Sequence, residues 1–504
     1  MAVRVGNIAS MGLSGFLAHV IEIQASVSAG MPGISVTGTV DASAREAKER
    51  VRAATSNSGF KINDWKVTLA LAPASLPKGG PGFDLPMALA VLVATGQAAH
   101  EKVAGTVFLG ELALDGRIRG VRGILPLLLG ARRAGYTRAV VPAANVAEAS
   151  LVDGLEVGGA SSLSQVVAWM AGDVVLDTVH AGPAVEAPVV PDMADVVGQP
   201  VARHALEVAA AGGHHVLMTG PPGVGKTMLA ARLPGILPPL EPEESLEVTA
   251  VHSIAGTLPP QSGLITAPPF VAPHHSVSMA ALLGGGTGLA GPGAVSRAHR
   301  GVLFLDECAE VGPKVLDGLR QPLEEGAVRI SRRDGVTAYP ARFLLLLAAN
   351  PCPCAAANDV DCECPSPVRR RYLARLSGPL MDRIDIRVQM EPPGAAVLMT
   401  EPGEASDAIA LRVAAARARA RARWGDDGWL TNAEVPGSAL RRRYPPEPDA
   451  VGRVEQFLRE GRITPRGADR ALRLSWTLAD LRGADRPGVD DVAQALMYRD
   501  RSLR

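Results

Sequence analysis

Gly220-Pro221-Pro222-Gly223-Val224-Gly225-Lys226-Thr227 lies between an apolar run, HHVLMT, and a helix-forming one, MLAARL. Few short stretches restrict a fold so tightly. The octapeptide satisfies G-x-x-x-x-G-K-[ST] at each position and joins a strand pattern to a helix pattern. Glycines at these places let backbone N–H groups converge on phosphate oxygens, and the helix start adds partial positive charge. In such a loop Lys226 reaches the β- and γ-phosphates of ATP, and the Thr227 hydroxyl binds Mg²⁺. A chance glycine turn before a helix requires neither the lysine nor the threonine.

A second element follows about 80 residues later, the spacing such loops keep to their acidic partner. Gly301-Val302-Leu303-Phe304-Leu305 is an apolar strand that ends in Asp306-Glu307. Carboxylates at the C-terminal end of a buried strand stand where an open α/β sheet binds its ligands. Asp306 is expected to hold the Mg²⁺ shell and Glu307 to polarise the attacking water. A third apolar run, FLLLLAA, ends in Asn350 beside them. Hydrolysis of ATP is the reaction these residues predict.

Short continuous apolar strands separated by helices argue for a parallel sheet covered on both faces. The expected α/β core spans 192–392. A helical lid is expected over 393–504, with helices near 405–423, 450–460, 466–482 and 489–500. Residues 1–180 alternate strand and helix patterns and read as a separate α+β domain. In it Lys66–Leu71 is read as a strand, Asp84–Ala94 as a buried helix, and Val107–Arg119 as a hairpin turning at Asp115-Gly116. The proline-rich, nearly uncharged stretch 181–191 reads as a linker.

Composition limits the partners less than the motifs do. The 51 basic and 51 acidic side chains cancel, so total charge points to neither nucleic acid nor a membrane surface. No apolar run approaches the roughly 20 residues that span a bilayer. With five cysteines in 504 residues and no basic, then apolar start, a cytoplasmic location is expected.

The run LDECAEV, LRQPLEEG, AANPCPC, RYLARLSGPLMDRIDI and TPRGADRALRLSWTLADL resembles the ComM/YifB family of Mg-chelatase-like AAA+ ATPases over nearly the whole chain. That resemblance implies a homo-oligomeric ring, a hexamer by the family's pattern, that works on DNA as a branch-migration helicase in recombination or natural transformation. A protein-remodelling ATPase of the Mg-chelatase or MoxR kind is the alternative. It also implies that Arg383 acts as an arginine finger in the neighbouring subunit's ATP site, and that Arg466 is the second sensor, with Arg470 as its competitor. A guanidinium suits the charge spread over a transferring phosphoryl group. The Gly/Pro/His-rich segment 248–294 matches the helix-two insertion of the Mg-chelatase and replicative-helicase branch, although Val271 stands where the family pattern has arginine. Adjacent His274 and His275 invite a metal reading, but on one strand they would point to opposite faces, so they are read as loop structure.

Val328–Thr337 alternates apolar and polar residues around Asp334-Gly335, a hairpin signal. By the resemblance it projects into a central pore, where Arg329, Arg332 and Arg333 would contact DNA phosphates without reading sequence. The alternative is a solvated hairpin. Cys352, Cys354, Cys362 and Cys364 form C-x-C-x₇-C-x-C; four thiolates suit tetrahedral Zn²⁺. A redox-sensitive cluster or free thiols in a surface loop remain open, and Cys308 is expected to be a small buried residue.

LAPASLPKGGPGFDLPMALAVL and the segment after it resemble the Lon protease domain, a ribosomal S5 domain 2-like fold. Gly82 stands where that pattern has its serine, and Leu127 where it has its lysine. Acyl transfer then lacks both nucleophile and activating amine, so a folded, non-proteolytic domain is expected.

Overall fold

The computed structural model describes residues 4–37, 42–62, 64–73, 81–178, 185–186, 188–259, 262–286, 290–332, 335–356, 361–392 and 403–499. Its central element is a five-stranded, wholly parallel sheet. The order is Phe270–Val271, Val302–Leu305, Leu344–Ala349, Val216–Thr219 and Ile386–Gln389. All side chains of Val302–Leu305 and Leu344–Ala349 are buried, which is why these strands read as unbroken apolar runs rather than alternating ones. Val216–Thr219, the strand that delivers the glycine loop, is flanked on both sides.

The lid helices are Ser406–Trp424, Gly437–Arg442, Pro448–Arg459, Pro465–Arg482 and Val489–Met497. Four coincide with the expected ones; the short Gly437–Arg442 was not anticipated. Trp424 is fully buried among Trp429, Tyr444 and Trp476, and its indole N–H donates to Asn432 Oδ1 at 2.7 Å. A second tie joins the lid to the sheet. Buried Asp385, just before the strand Ile386–Gln389, accepts from Arg470 at 2.5 Å and from the His215 N–H at 3.3 Å. The Arg470 and His214 charges hold its carboxyl well below the usual range against the effect of burial.

The N-terminal sheet has seven strands, in the order Gly33–Thr37, Lys66–Ala72, Leu17–Ser28, Arg4–Ser14, Thr106–Phe108, Arg138–Pro142 and Glu156–Ala160. Alternate residues serve opposite faces. Phe108 and Val140 meet the helix Asp84–Ala94, while Val107, Ala139 and Val141 meet the helix Ile124–Arg133. Ala250, on the core helix Pro242–Ala255, completes the second face. The expected hairpin is narrower than 107–119: Glu111–Leu112 pairs with Ile118–Arg119, and Thr106–Phe108 belongs to the main sheet.

The long hairpin Arg4–Ser14/Leu17–Ser28 reaches the core. The Phe16 N–H donates to Ala338 O at 3.1 Å. Gly15 has φ +66, and a Cβ there would lie 2.7 Å from the same oxygen, so the approach requires glycine. Ala338 belongs to the hairpin Ala327–Arg332/Gly335–Pro340. The pairing runs from Ala327–Pro340 to Arg332–Gly335; 333–334 lie outside the described residues. Within the segment expected as a linker, the Val185 N–H donates to Leu264 O at 3.0 Å; 181–184 and 187 lie outside the described residues.

Candidate nucleotide site

The glycine loop is shaped by contacts that exclude side chains. A Cβ on Gly220 would stand 2.6 Å from Met390 O, and Gly223 and Gly225 take φ of +81 and +96. Helix Lys226–Arg232 starts directly behind them. Lys226, only 8% exposed, donates from Nζ to Gly220 O at 2.6 Å, Pro221 O at 2.8 Å and Asn350 Oδ1 at 3.0 Å. Burial lowers its pKa, while Asp306 and Glu307 pull the other way. The loop lysine and the expected polar residue of the third strand therefore meet.

Thr227 Oγ1 donates to Asp306 Oδ2 at 2.7 Å. A hydroxyl and a carboxylate oxygen side by side form the hard, all-oxygen donor set that suits Mg²⁺ with phosphate oxygens. The Glu307 N–H donates to Asp306 Oδ1 at 2.9 Å, and Glu307 itself has φ +47, uncommon for a residue with a side chain. His275 Nδ1 lies 3.0 Å from Glu307 Oε2. No spacing rule pointed to that contact.

Arg383 and Arg466 stand elsewhere. Arg383 precedes the strand Ile386–Gln389, whereas the glycine loop follows the other end of its parallel neighbour Val216–Thr219. The two arginines are thus at the opposite end of the sheet from this chain's own loop. They share a cavity of about 210 Å³ with Glu324, Asp382, Asp469 and Arg470. The Arg383 guanidinium, 8% exposed, pairs with Glu324 and donates to Pro379 O at 2.6 Å. Burial lowers its pKa, with repulsion from Arg320, Arg470 and Arg466 adding to the effect. Arg470, the competitor for the sensor role, is committed to Asp385; Arg466 is exposed at the start of its helix.

On the hairpin, Arg329 is 60% exposed and pairs with Glu325 at 3.0 Å. The side chain of Arg332, and Arg333 altogether, lie outside the described residues. The insertion's Gly284–Gly285 pairs with Gly291–Pro292, and this small hairpin touches the larger one: Tyr339 donates to Ala290 O, and Gly284 abuts Ile330. His274 and His275 do not diverge as residues of one strand would. They follow the two-residue strand Phe270–Val271 in a turn, and their rings lie against each other with centroids 4.0 Å apart and planes inclined by 35°.

The four clustered cysteines converge, with all Sγ atoms within 4.8 Å of one another. Cys352 Sγ lies 3.2 Å from both Cys354 and Cys362. These separations exceed a disulfide bond of about 2.05 Å and fall short of the roughly 3.8 Å edge of a thiolate tetrahedron around Zn²⁺, so the four thiols are gathered closely enough for one cation to hold after a small outward shift. The hydrogen bond with Cys352 brings the Cys354 thiol down to about 7, toward the thiolate that metals bind. Cys308 is fully buried, and burial pushes it up to about 12. In the N-terminal domain Gly82 and buried Leu127 offer neither hydroxyl nor amine.

A wholly parallel sheet with the phosphate loop, acidic pair and polar third strand at one end, joined to a helical lid, defines an ATPase of the AAA+ class. Sequence comparison agrees. Residues 192–397 match the profile described as magnesium chelatase, subunit ChlI; residues 23–145 match subunit ChlI of Mg-chelatase, and residues 403–499 the ChlI C-terminal part. The chain is 52% identical to the uncharacterized protein Rv2897c of Mycobacterium tuberculosis, covering 99% of each. It is 38% identical to YifB of Escherichia coli, over 95% of this chain and 94% of YifB. With the competence protein ComM of Haemophilus influenzae it shares 37% identity, over 97% and 96%. A shorter likeness, 28% over 32% of this chain, links it to Lon protease of Mycolicibacterium smegmatis. The chain belongs to the ComM/YifB family of Mg-chelatase-like AAA+ ATPases. No helix among the described residues is long and apolar enough to cross a membrane.

Proposed function

We propose that this ATPase forms a ring, a hexamer by its family's pattern, and couples ATP hydrolysis to movement along DNA in branch migration. Residues 192–392 act as the motor, 393–504 as its lid and 1–180 as a non-proteolytic guide. Within a subunit, Gly220–Thr227 cradle the phosphates, Thr227 and Asp306 hold Mg²⁺, Glu307 activates water and Asn350 orients it. Arg383 and Arg466 serve the neighbour's nucleotide. The observation that carries this is their distance from the loop of their own chain, at the far end of the sheet. Isolated subunits then lack the guanidinium that neutralises the transition state.

DNA as the track is supported by the exposed Arg329 on the paired hairpins, by Arg332 and Arg333 a few residues on in the sequence, and by the competence role in ComM's name. A weak phosphate contact repeated around a ring binds strongly in sum, so a neutral chain is no obstacle. The protein-remodelling alternative draws on the magnesium chelatase profiles. ATPase assays with single-stranded, forked and four-way DNA separate the two. A forked or four-way substrate is expected to raise kcat about fivefold or more, and no stimulation by any DNA removes the helicase reading. Cys352, Cys354, Cys362 and Cys364 hold structural Zn²⁺ in this proposal. Metal analysis of purified protein is expected to find about one zinc per chain, the stoichiometry of a four-thiolate site, and a ratio near zero ends that assignment.

A further inference from the structure

At the end of the core sheet opposite the glycine loop, core and lid enclose a cavity of about 740 Å³. That volume is within the range of small-molecule sites, and a junction between domains is a usual place for one. The core supplies the starts of its strands, at His215 and Leu344. The lid supplies one face of the helix Ser406–Trp424, where Ala414, Arg417 and Arg421 recur at helical spacing. One end of the cavity borders the smaller one and shares Arg383, Arg470 and Arg473 with it.

The charges on this wall are not all matched. Each carboxylate is taken. Glu241 pairs with Arg421 at 2.6 Å, Glu244 pairs with Arg300 at 3.1 Å, and Glu434 accepts from the Leu430 N–H at 2.7 Å. Glu324, Glu325 and Asp385 are held by Arg383, Arg329 and Arg470. Arg417 and Arg473 are left without a carboxylate at ion-pair distance among the described residues. Each engages only its Nε, on Ala210 O at 2.8 Å and on Val435 O at 2.7 Å. Their terminal nitrogens have no hydrogen-bond partner among the described residues and are not sealed off from solvent. Burial pulls Arg417 down to about 10 and lowers Arg473 as well, as it does for a cation without a counter-charge. Phosphate oxygens match such a free guanidinium fork.

Trp429 adds a flat apolar surface to the same wall. It is half-buried and meets Trp424 edge-on, with centroids 6.4 Å apart. Glu434 ties this corner to Arg417, since it holds the residue after Trp429 and its charge reaches the Arg417 guanidinium. An aromatic face beside an unmatched guanidinium suits a base and its phosphates.

We propose that this cavity is a second nucleotide site, which takes a free nucleoside phosphate with its base on Trp429 and its phosphates on Arg417. Because the wall comes from both domains, the ligand bridges lid and core.

The test is equilibrium dialysis of labelled ADP against the full chain, with Lys226→Ala used to remove the glycine-loop site. The parent is expected to bind about two ADP per chain, and Lys226→Ala about one. Adding Arg417→Ala to Lys226→Ala is expected to weaken the remaining site about tenfold or more. Arg417 also fastens Ala210, so Ala414→Trp serves as a second variant. Ala414 is exposed on the same helix face, and an indole there fills the cavity without removing a buried group. In the Lys226→Ala background it is expected to abolish the remaining binding. Absence of ADP from Lys226→Ala, or remaining binding untouched by either change, overturns the proposal. So does inorganic pyrophosphate that competes as strongly as ADP, because the base would then contribute nothing.

Discussion

The two sheets of this chain invite comparison because they are built alike and used differently. Each contains adjacent parallel strands covered by helices on both faces. In the core sheet, strand ends deliver Gly220, Asp306 and Asn350 to one spot, and side chains there touch across long sequence distances. In the N-terminal domain the positions where the Lon pattern has its serine and lysine, in the short helix Pro81–Phe83 and the helix Ile124–Arg133, carry Gly82 and Leu127, and buried polar contacts fasten elements together. Asp84 is an example: it is fully buried and takes a bidentate pair from Arg50 at 2.7 and 3.0 Å plus the Leu112 N–H. The scaffold does not decide whether chemistry occurs; the residues set at the strand ends do.

Substitutions can break or sharpen that contrast. Lys226→Ala is expected to cut ATP hydrolysis by about a hundredfold or more without unfolding the chain, since it removes the charge that meets the phosphates; near-parental turnover would erase the distinction. Leu127→Lys, which puts back the amine of the Lon pattern, places an ammonium in an apolar core. It is expected to cost about 2 kcal/mol of stability or more, read by chemical denaturation. Gly82→Ser is the gentlest. A Cβ there meets only Val121 at 3.8 Å, so stability should shift by no more than about 0.5 kcal/mol. No peptidase activity is expected in a casein-digestion assay, because a serine without its lysine is not activated.

Local features were readable from sequence because local physics fixes them. The apolar runs Val302–Leu305 and Leu344–Ala349, the buried helix Asp84–Ala94 and the lid helices Ser406–Trp424 and Pro465–Arg482 fall within a residue or two of expectation. The loop, Asp306 and Asn350 converge for the same reason, since each ends a strand of one sheet. Contacts set by chain reversal were not readable. Nothing in the spacing of His275 and Glu307, or of Glu324 and Arg383, says that they touch. His274 and His275 lie in loop structure as expected, but because the strand before them stops at Val271 and not because they face opposite ways along it.

The tip of the N-terminal hairpin has a mechanical consequence. Its link to the core hairpin runs from the Phe16 amide to the Ala338 carbonyl, main chain to main chain. Such a strut carries no side-chain signature and survives almost any change of residue at either end; at position 16 only a proline would delete its donor. A displacement of the core hairpin would therefore be passed through main chain to the tip of the N-terminal hairpin.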